Sequence, residues 1–103
     1  MKMMTKALEK TLPLYHSQDW LKGDAICYAH YFYWGRDWYV LEYDKVPKIF
    51  FGIVIWHDTE YWDFGLAELE STGKVERDLY WTPKKVCEID KLKNFIEWIY
   101  PTD

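Results

Sequence analysis

The sequence predicts an α+β fold: a four-stranded, mostly antiparallel sheet with a short N-terminal helix and a longer C-terminal helix packed on it. Three observations predict it. The middle of the chain is a succession of aromatic and β-branched segments separated by short turns, the composition a pleated, half-buried surface prefers. Helical apolar spacing is confined to the two ends and one short internal segment. The length, 103 residues, suits a single domain spanning residues 1–103.

The elements follow in order. In "MMTKALEK", Met4, Ala7 and Leu8 share a helical face. Thr11 and Pro13 end that helix, because the residue before a proline is pushed out of the α region. "SQDWLKGD" reads as a loop. "AICYAHYFY" and "DWYVLEYD" are the first two strands, with Gly35-Arg36 at the turn between them. Glycine takes the positive φ of a tight hairpin. That loop sets Tyr33 against Trp38, Tyr31 against Val40 and Ala29 against Glu42 on one face. The other face carries Phe32 with Tyr39, His30 with Leu41 and Tyr28 with Tyr43.

"KIFFGIVIW" is apolar on both faces, as in a central, doubly covered strand. Gly52 in its middle predicts a bulge or a close approach by another element. "DFGLAELEST" supplies a helical turn ending near Gly73. "KVERDLYW" reads as the fourth strand, with Val75, Arg77, Leu79 and Trp81 on one side. Thr82-Pro83 opens the last helix, Thr as N-cap and Pro at the first helical position. Val86, Ile89, Leu92, Ile96 and Ile99 form its apolar face, up to Pro101.

Composition excludes several classes. Half the residues are hydrophobic and a fifth aromatic, which excludes a disordered chain. The longest apolar run, Ile49 to Trp56, is eight residues, against about 20 for a membrane span. The opening "MKMMTKALEK" has no apolar core of a secretory signal, so a cytoplasmic chain is expected. Cys27 and Cys87 read as reduced thiols acting as small apolar residues. No cofactor or metal is expected. The five glycines are dispersed and build no phosphate loop. His16, His30 and His57 stand singly, and His30, inside a strand, reads as a structural histidine.

The net charge of −4 is uneven. The stretch His57 to Trp81 holds two basic and seven acidic residues, while each remaining stretch is within one charge of neutral. The seven acids are Asp58, Glu60, Asp63, Glu68, Glu70, Glu76 and Asp78. Such a cluster is either a solvated face or a recognition surface. Affinity for nucleic acid comes mainly from lysine and arginine on phosphates. This acidic chain disfavours nucleic acid as its main partner.

The segments "LPLYHSQDW", "WYVLEYD", "FFGIVI", "FGLAELES" and "VERDLYWTPK", read in order from Leu12 to Val86, resemble a bacterial family known as domain of unknown function 2958. "VERDLYWTPK" and "FGLAELES" are the specific parts. The chain departs from the family's pattern in a short stretch between "FGIVIW" and "FGLAELES", in a missing insertion after "ELES", and in the added tail from Ile89 to Asp103. The resemblance implies a small protein of phages, plasmids or conjugative elements, acting in the cytoplasm of a bacterial host. It carries over no catalytic residue. Proteins of such elements blunt host defences, anti-restriction and anti-CRISPR proteins among them.

Three functions fit. The leading one is a non-enzymatic inhibitor or adaptor that binds a basic surface of a host nucleic-acid-handling protein, a CRISPR effector nuclease being the sharpest version. Asp58, Glu60, Asp63, Glu68, Glu70, Glu76 and Asp78 supply the charge, and Tyr61 or Trp62 the anchor. The second is a single-stranded nucleic-acid-binding accessory protein using Tyr31, Tyr33, Trp34 and Trp38 as a stacking platform. The third is a small hydrolase with paired carboxylates, which needs two buried acids with pKa values driven apart.

Overall fold

Local signals fix the first element of the computed structural model, which describes residues 2–101. Helix α1 (Lys6–Thr11) starts at Thr5, whose side-chain oxygen accepts from the Leu8 N–H at 3.1 Å. It stops at Leu12, which is extended ahead of Pro13, as the proline requires. Residues Asp19–Asp24 form a 3-10 turn inside the expected loop.

The strands that follow are β1 (Ile26–Cys27), β2 (Ala29–Tyr33), β3 (Arg36–Asp44), β4 (Ile49–Ile55), β5 (Thr59–Gly65), β6 (Glu76–Arg77) and β7 (Lys84–Lys85). Five of them make one antiparallel sheet in the order β5-β4-β3-β2-β6. Strands β1 and β7 pair separately. The fold is α+β as expected, with helices on a mostly antiparallel sheet, but the count of four strands is corrected to five plus a two-stranded sheet.

Each difference has a local cause. Strand β5 lies in the acidic stretch, where charge masked the alternation of Glu60, Trp62 and Phe64 against Thr59, Tyr61 and Asp63. The expected first strand breaks at Tyr28, whose N–H donates to the Val40 carbonyl. The expected fourth strand shrinks to Glu76–Arg77, because Asp78 Oδ1 accepts from the Tyr80 N–H at 3.0 Å and turns the chain. The C-terminal helix does not open at Thr82-Pro83. Lys84 and Lys85 are extended against β1. Two 3-10 turns, Val86–Glu88 and Asp90–Leu92, then precede helix α3 (Lys93–Ile99). Val86, Ile89 and Leu92 recur every third residue, which is 3-10 spacing, and all three are buried.

The β2–β3 hairpin turns at Trp34-Gly35, not at Gly35-Arg36. Both residues have positive φ, 42° and 74°, as a two-residue type I′ turn needs. Tyr33 therefore pairs with Arg36 and Tyr31 with Trp38. The slip is even, so Tyr31, Tyr33, Trp38 and Val40 still share a face. Beyond Val40 the register shifts against β4, with Leu41 as the extra residue. That bulge moves Glu42 to the face opposite the expected one and brings Tyr43 onto the Tyr31 face. Gly52 marks the close approach the sequence predicted: a Cβ there would lie 1.9 Å from the Tyr39 carbonyl oxygen.

The sheet has a core on each side. One face packs Tyr31, Val40, Tyr43, Phe50 and Phe64 against Met3, Leu12, Val75 and helix α2 (Leu66–Ser71), through Leu66 and Leu69. The other packs Tyr39, Leu41 and Ile53 against Cys27, Val86, Ile89, Leu92 and Ile96.

Candidate functional site

Helix α2 is only six residues long, so it covers one end of its face and leaves the other end open. The open end is a groove of about 500 Å3. Its floor is the cross-strand row Trp38, Val54 and Glu60, three neighbours set side by side by the β3–β4 and β4–β5 registers. Tyr33 and Arg36 line one side. Trp56, His57 and Asp58 come from the β4–β5 turn. Trp62 and Phe64 follow on β5, and Glu68, Leu69, Thr72 and Val75 close the helix end. Trp56 and Trp62 are each about half exposed, 54% and 55%. The Arg36 guanidinium lies 3.6 Å from the centre of the Trp56 ring, a cation–π contact within the groove.

The seven acids do not share one face. Asp58, Glu60 and Glu68 line the groove together with Trp62. Among the described residues, none of these three carboxylates has an ion-pair or hydrogen-bond partner within the protein. Glu70 and Glu76 line a neighbouring cavity beside Met3 and Lys74, which shares Leu69 and Val75 with the groove. Asp63 lies on the opposite face and accepts from the Tyr15 hydroxyl at 3.3 Å. Asp78 Oδ2 pairs with His30 Nδ1 at 3.0 Å. Tyr61 is not an exposed anchor. Its ring stacks on Phe51 with centroids 5.6 Å apart, and its hydroxyl bonds to that of Tyr100 at 2.9 Å.

The expected stacking platform also divides. Tyr31 is fully buried and its hydroxyl donates to the Met3 carbonyl. Tyr33 and Trp38 belong to the groove. Trp34 stands at the hairpin tip, 88% exposed. Composition concealed the site's other members, Arg36, Val54 and Trp56, because residues remote in sequence meet only once β5 is recognised as a strand. Recurrence of Trp62 and Phe64 two residues apart was the available signal.

A second polar cluster sits on the other face. His30 Nε2 is 2.7 Å from Asp37 Oδ1, and His30 Nδ1 is 3.0 Å from Asp78 Oδ2. Lys91 Nζ reaches Asp37 Oδ2 at 3.1 Å. The ring is stacked on Tyr39 with centroids 4.7 Å apart and planes 10° apart, and Trp81 lies 5.2 Å away. Burial opposes charge on Asp37, but hydrogen bonds from His30 and Lys91 outweigh it and hold the carboxyl below its ordinary range. The ring nitrogens are both engaged, so the cluster ties β2 and β3 to the segments that carry Asp78 and Lys91.

Nearby, Glu42 is 2% exposed and accepts from the backbone N–H groups of His16 and Gln18 at 2.8 and 2.9 Å. Cys27 is a buried free thiol, its pKa pushed up by that burial, and Cys87 is half-buried and also free. Among the described residues no three His, Cys, Asp or Glu side chains are grouped so as to hold a metal ion. None of the helices there is long and apolar enough to cross a membrane.

No protein-family model, curated protein or solved structure matches this chain.

Proposed function

We propose that this chain is a non-enzymatic binding protein that receives a basic segment of a protein partner in the aromatic–acidic groove. One observation carries the reading: Asp58, Glu60 and Glu68 face the groove without an internal partner among the described residues. Several carboxylates elsewhere are engaged, Asp37 and Asp78 with His30, Asp24 with Lys85, and Glu42 with backbone N–H groups; Glu9, Glu70, Glu76 and Glu97 also lack a partner among the described residues, but they lie outside the groove. Unpaired charges beside exposed indoles favour a cationic partner, since opposite charge steers encounter and buried aromatics anchor the complex.

The finer reading concerns the partner's class. The resemblance to a mobile-element family supports a host nucleic-acid-handling protein, a restriction or CRISPR effector nuclease, one of whose phosphate-binding basic side chains enters the groove and pairs with the carboxylates in place of phosphate. The same carboxylates weigh against direct binding of single strands by Tyr33, Trp34 and Trp38, because they repel the phosphate backbone.

The test is a pull-down and cleavage assay against such nucleases. The triple variant Asp58→Asn, Glu60→Gln, Glu68→Gln is expected to weaken binding at least about tenfold, on the order of 1.4 kcal/mol. The pair Glu70→Gln, Glu76→Gln leaves it unchanged. Equal loss in both variants contradicts the groove as the site. A labelled single strand that binds at low micromolar concentration in low salt favours the nucleic-acid reading instead.

A further inference from the structure

We infer that the group the groove is built to seat is an arginine side chain of the partner, its guanidinium flat on Trp62 and forked by Glu60 and Glu68. This deepens the proposed function and rests on its choice of site.

The groove already holds an arginine of its own. Arg36 lies over Trp56 at 3.6 Å from the ring centre, so a guanidinium already stacks on an indole within this cleft. Tyr33, Trp38 and Trp62 line the same cleft. Among the described residues, none of these three rings stacks on another ring or carries a cation. Aromatic faces hold their negative quadrupole outward and attract a cation lying on them.

The charge balance points the same way. Three carboxylates, Asp58, Glu60 and Glu68, share the cleft with the single guanidinium of Arg36, which leaves it with an excess of negative charge. Glu60 is on β5 and Glu68 on α2, so the two approach the cleft from different elements. A guanidinium offers five donors in a planar fork and keeps a flat face for stacking. An ammonium is a strongly hydrated point charge and stacks less well. The cleft, about 500 Å3, is ample for one such side chain and the backbone on either side of it.

The experiment uses the full chain and a glycine–serine peptide, blocked at both ends, with one central arginine. Indole N–H resonances are followed during titration, together with tryptophan fluorescence. Matched peptides carry lysine, citrulline or glutamate at the same place. The expected result is saturable shifts at the Trp62 and Trp38 indoles with millimolar affinity. Lysine should bind at least about threefold more weakly, and citrulline and glutamate should not saturate.

Glu60→Gln with Glu68→Gln keeps the side-chain shapes and should cost about tenfold in affinity. Trp62→Ala should abolish the binding, with circular dichroism reporting that the sheet persists. Trp98→Phe, at an exposed helix position, should change nothing.

Citrulline binding as well as arginine overturns the inference, because the groove is then merely apolar. So do shifts confined to Trp34 or Trp98, or no saturation by about 20 mM. The peptide result is independent of any nuclease. Arginine binding without nuclease binding leaves this inference standing while the proposed partner class fails. Nuclease binding without arginine binding does the reverse.

Discussion

The two faces of the sheet are made from the same materials and do different work. Both carry aromatic rings and carboxylates. On the His30 face, the groups under the cover have internal partners: Asp37 and Asp78 hold the two nitrogens of His30, Tyr39 stacks on the ring, and Tyr61 bonds to Tyr100. The segment from Trp81 to Tyr100 supplies the cover. On the Trp38 face, α2 covers one end only, and Glu60, Glu68 and Trp62 line the open half. The comparison teaches that residue type alone separates neither scaffold from site. Satisfaction together with placement does: a carboxylate with a built-in partner serves the fold, and one without that also lines an open aromatic groove is available to something outside.

That comparison can be broken first at the backbone beneath it. Gly52→Ala places a Cβ 1.9 Å from the Tyr39 carbonyl oxygen, and backbone cannot yield as a side-chain tip can. A loss of about 3 kcal/mol or more, or failure to fold, is expected. Urea denaturation followed by circular dichroism measures it, and a fully stable variant means that the β3–β4 approach is looser than described.

Next comes the closed face. Asp37→Ala removes the acceptor from both His30 and Lys91 and should cost about 3 kcal/mol, with arginine-peptide binding unaltered. A pH dependence accompanies it. The Asp37 carboxyl is held below its ordinary value in the folded state. Its contribution is therefore complete above about pH 4, and is lost as pH falls through the lower folded value. Urea midpoints between pH 2 and pH 6 should fall more steeply for the parent chain than for Asp37→Asn. Parallel profiles contradict that role.

The hairpin tip sharpens the other side. Trp34 has φ of 42° and is 88% exposed, a conformation that costs a bulky residue energy. Trp34→Asn suits the turn and should gain about 0.5–1 kcal/mol. A thermal melt decides it. A gain in stability with unchanged partner binding sets Trp34 outside the site, and loss of binding makes it part of the rim.

The same division explains what could be read from the chain. Strands β3 and β4, α1, the turn of α2 and the close approach at Gly52 were legible, because apolar period and punctuation coincide there. Strand β5 was not: Glu60 and Asp63 look like solvent-exposed charge until Trp62 and Phe64 are seen to alternate with Tyr61. The C-terminal region misled for a related reason. Apolar residues every third or fourth position fit an α-helix and a pair of 3-10 turns alike, and only the pairing of Lys84 and Lys85 with β1 delays the helix to Lys93.

The site was half legible. The acids and Trp62 stood out by composition, but which of them converge depends on β5 being an edge strand. One residue's shift at the Leu41 bulge also decides that Glu42 is buried on the far side.

The most direct measurement of the central claim is the stability of the double variant Glu60→Gln, Glu68→Gln beside that of Asp37→Asn, each in urea at neutral pH. Groove carboxylates with no internal partner predict a change within about 0.5 kcal/mol for the double variant, and a loss several times larger for Asp37→Asn. A double variant that loses as much as Asp37→Asn would mean that Glu60 and Glu68 hold the fold together, and the groove would have nothing left to offer a partner.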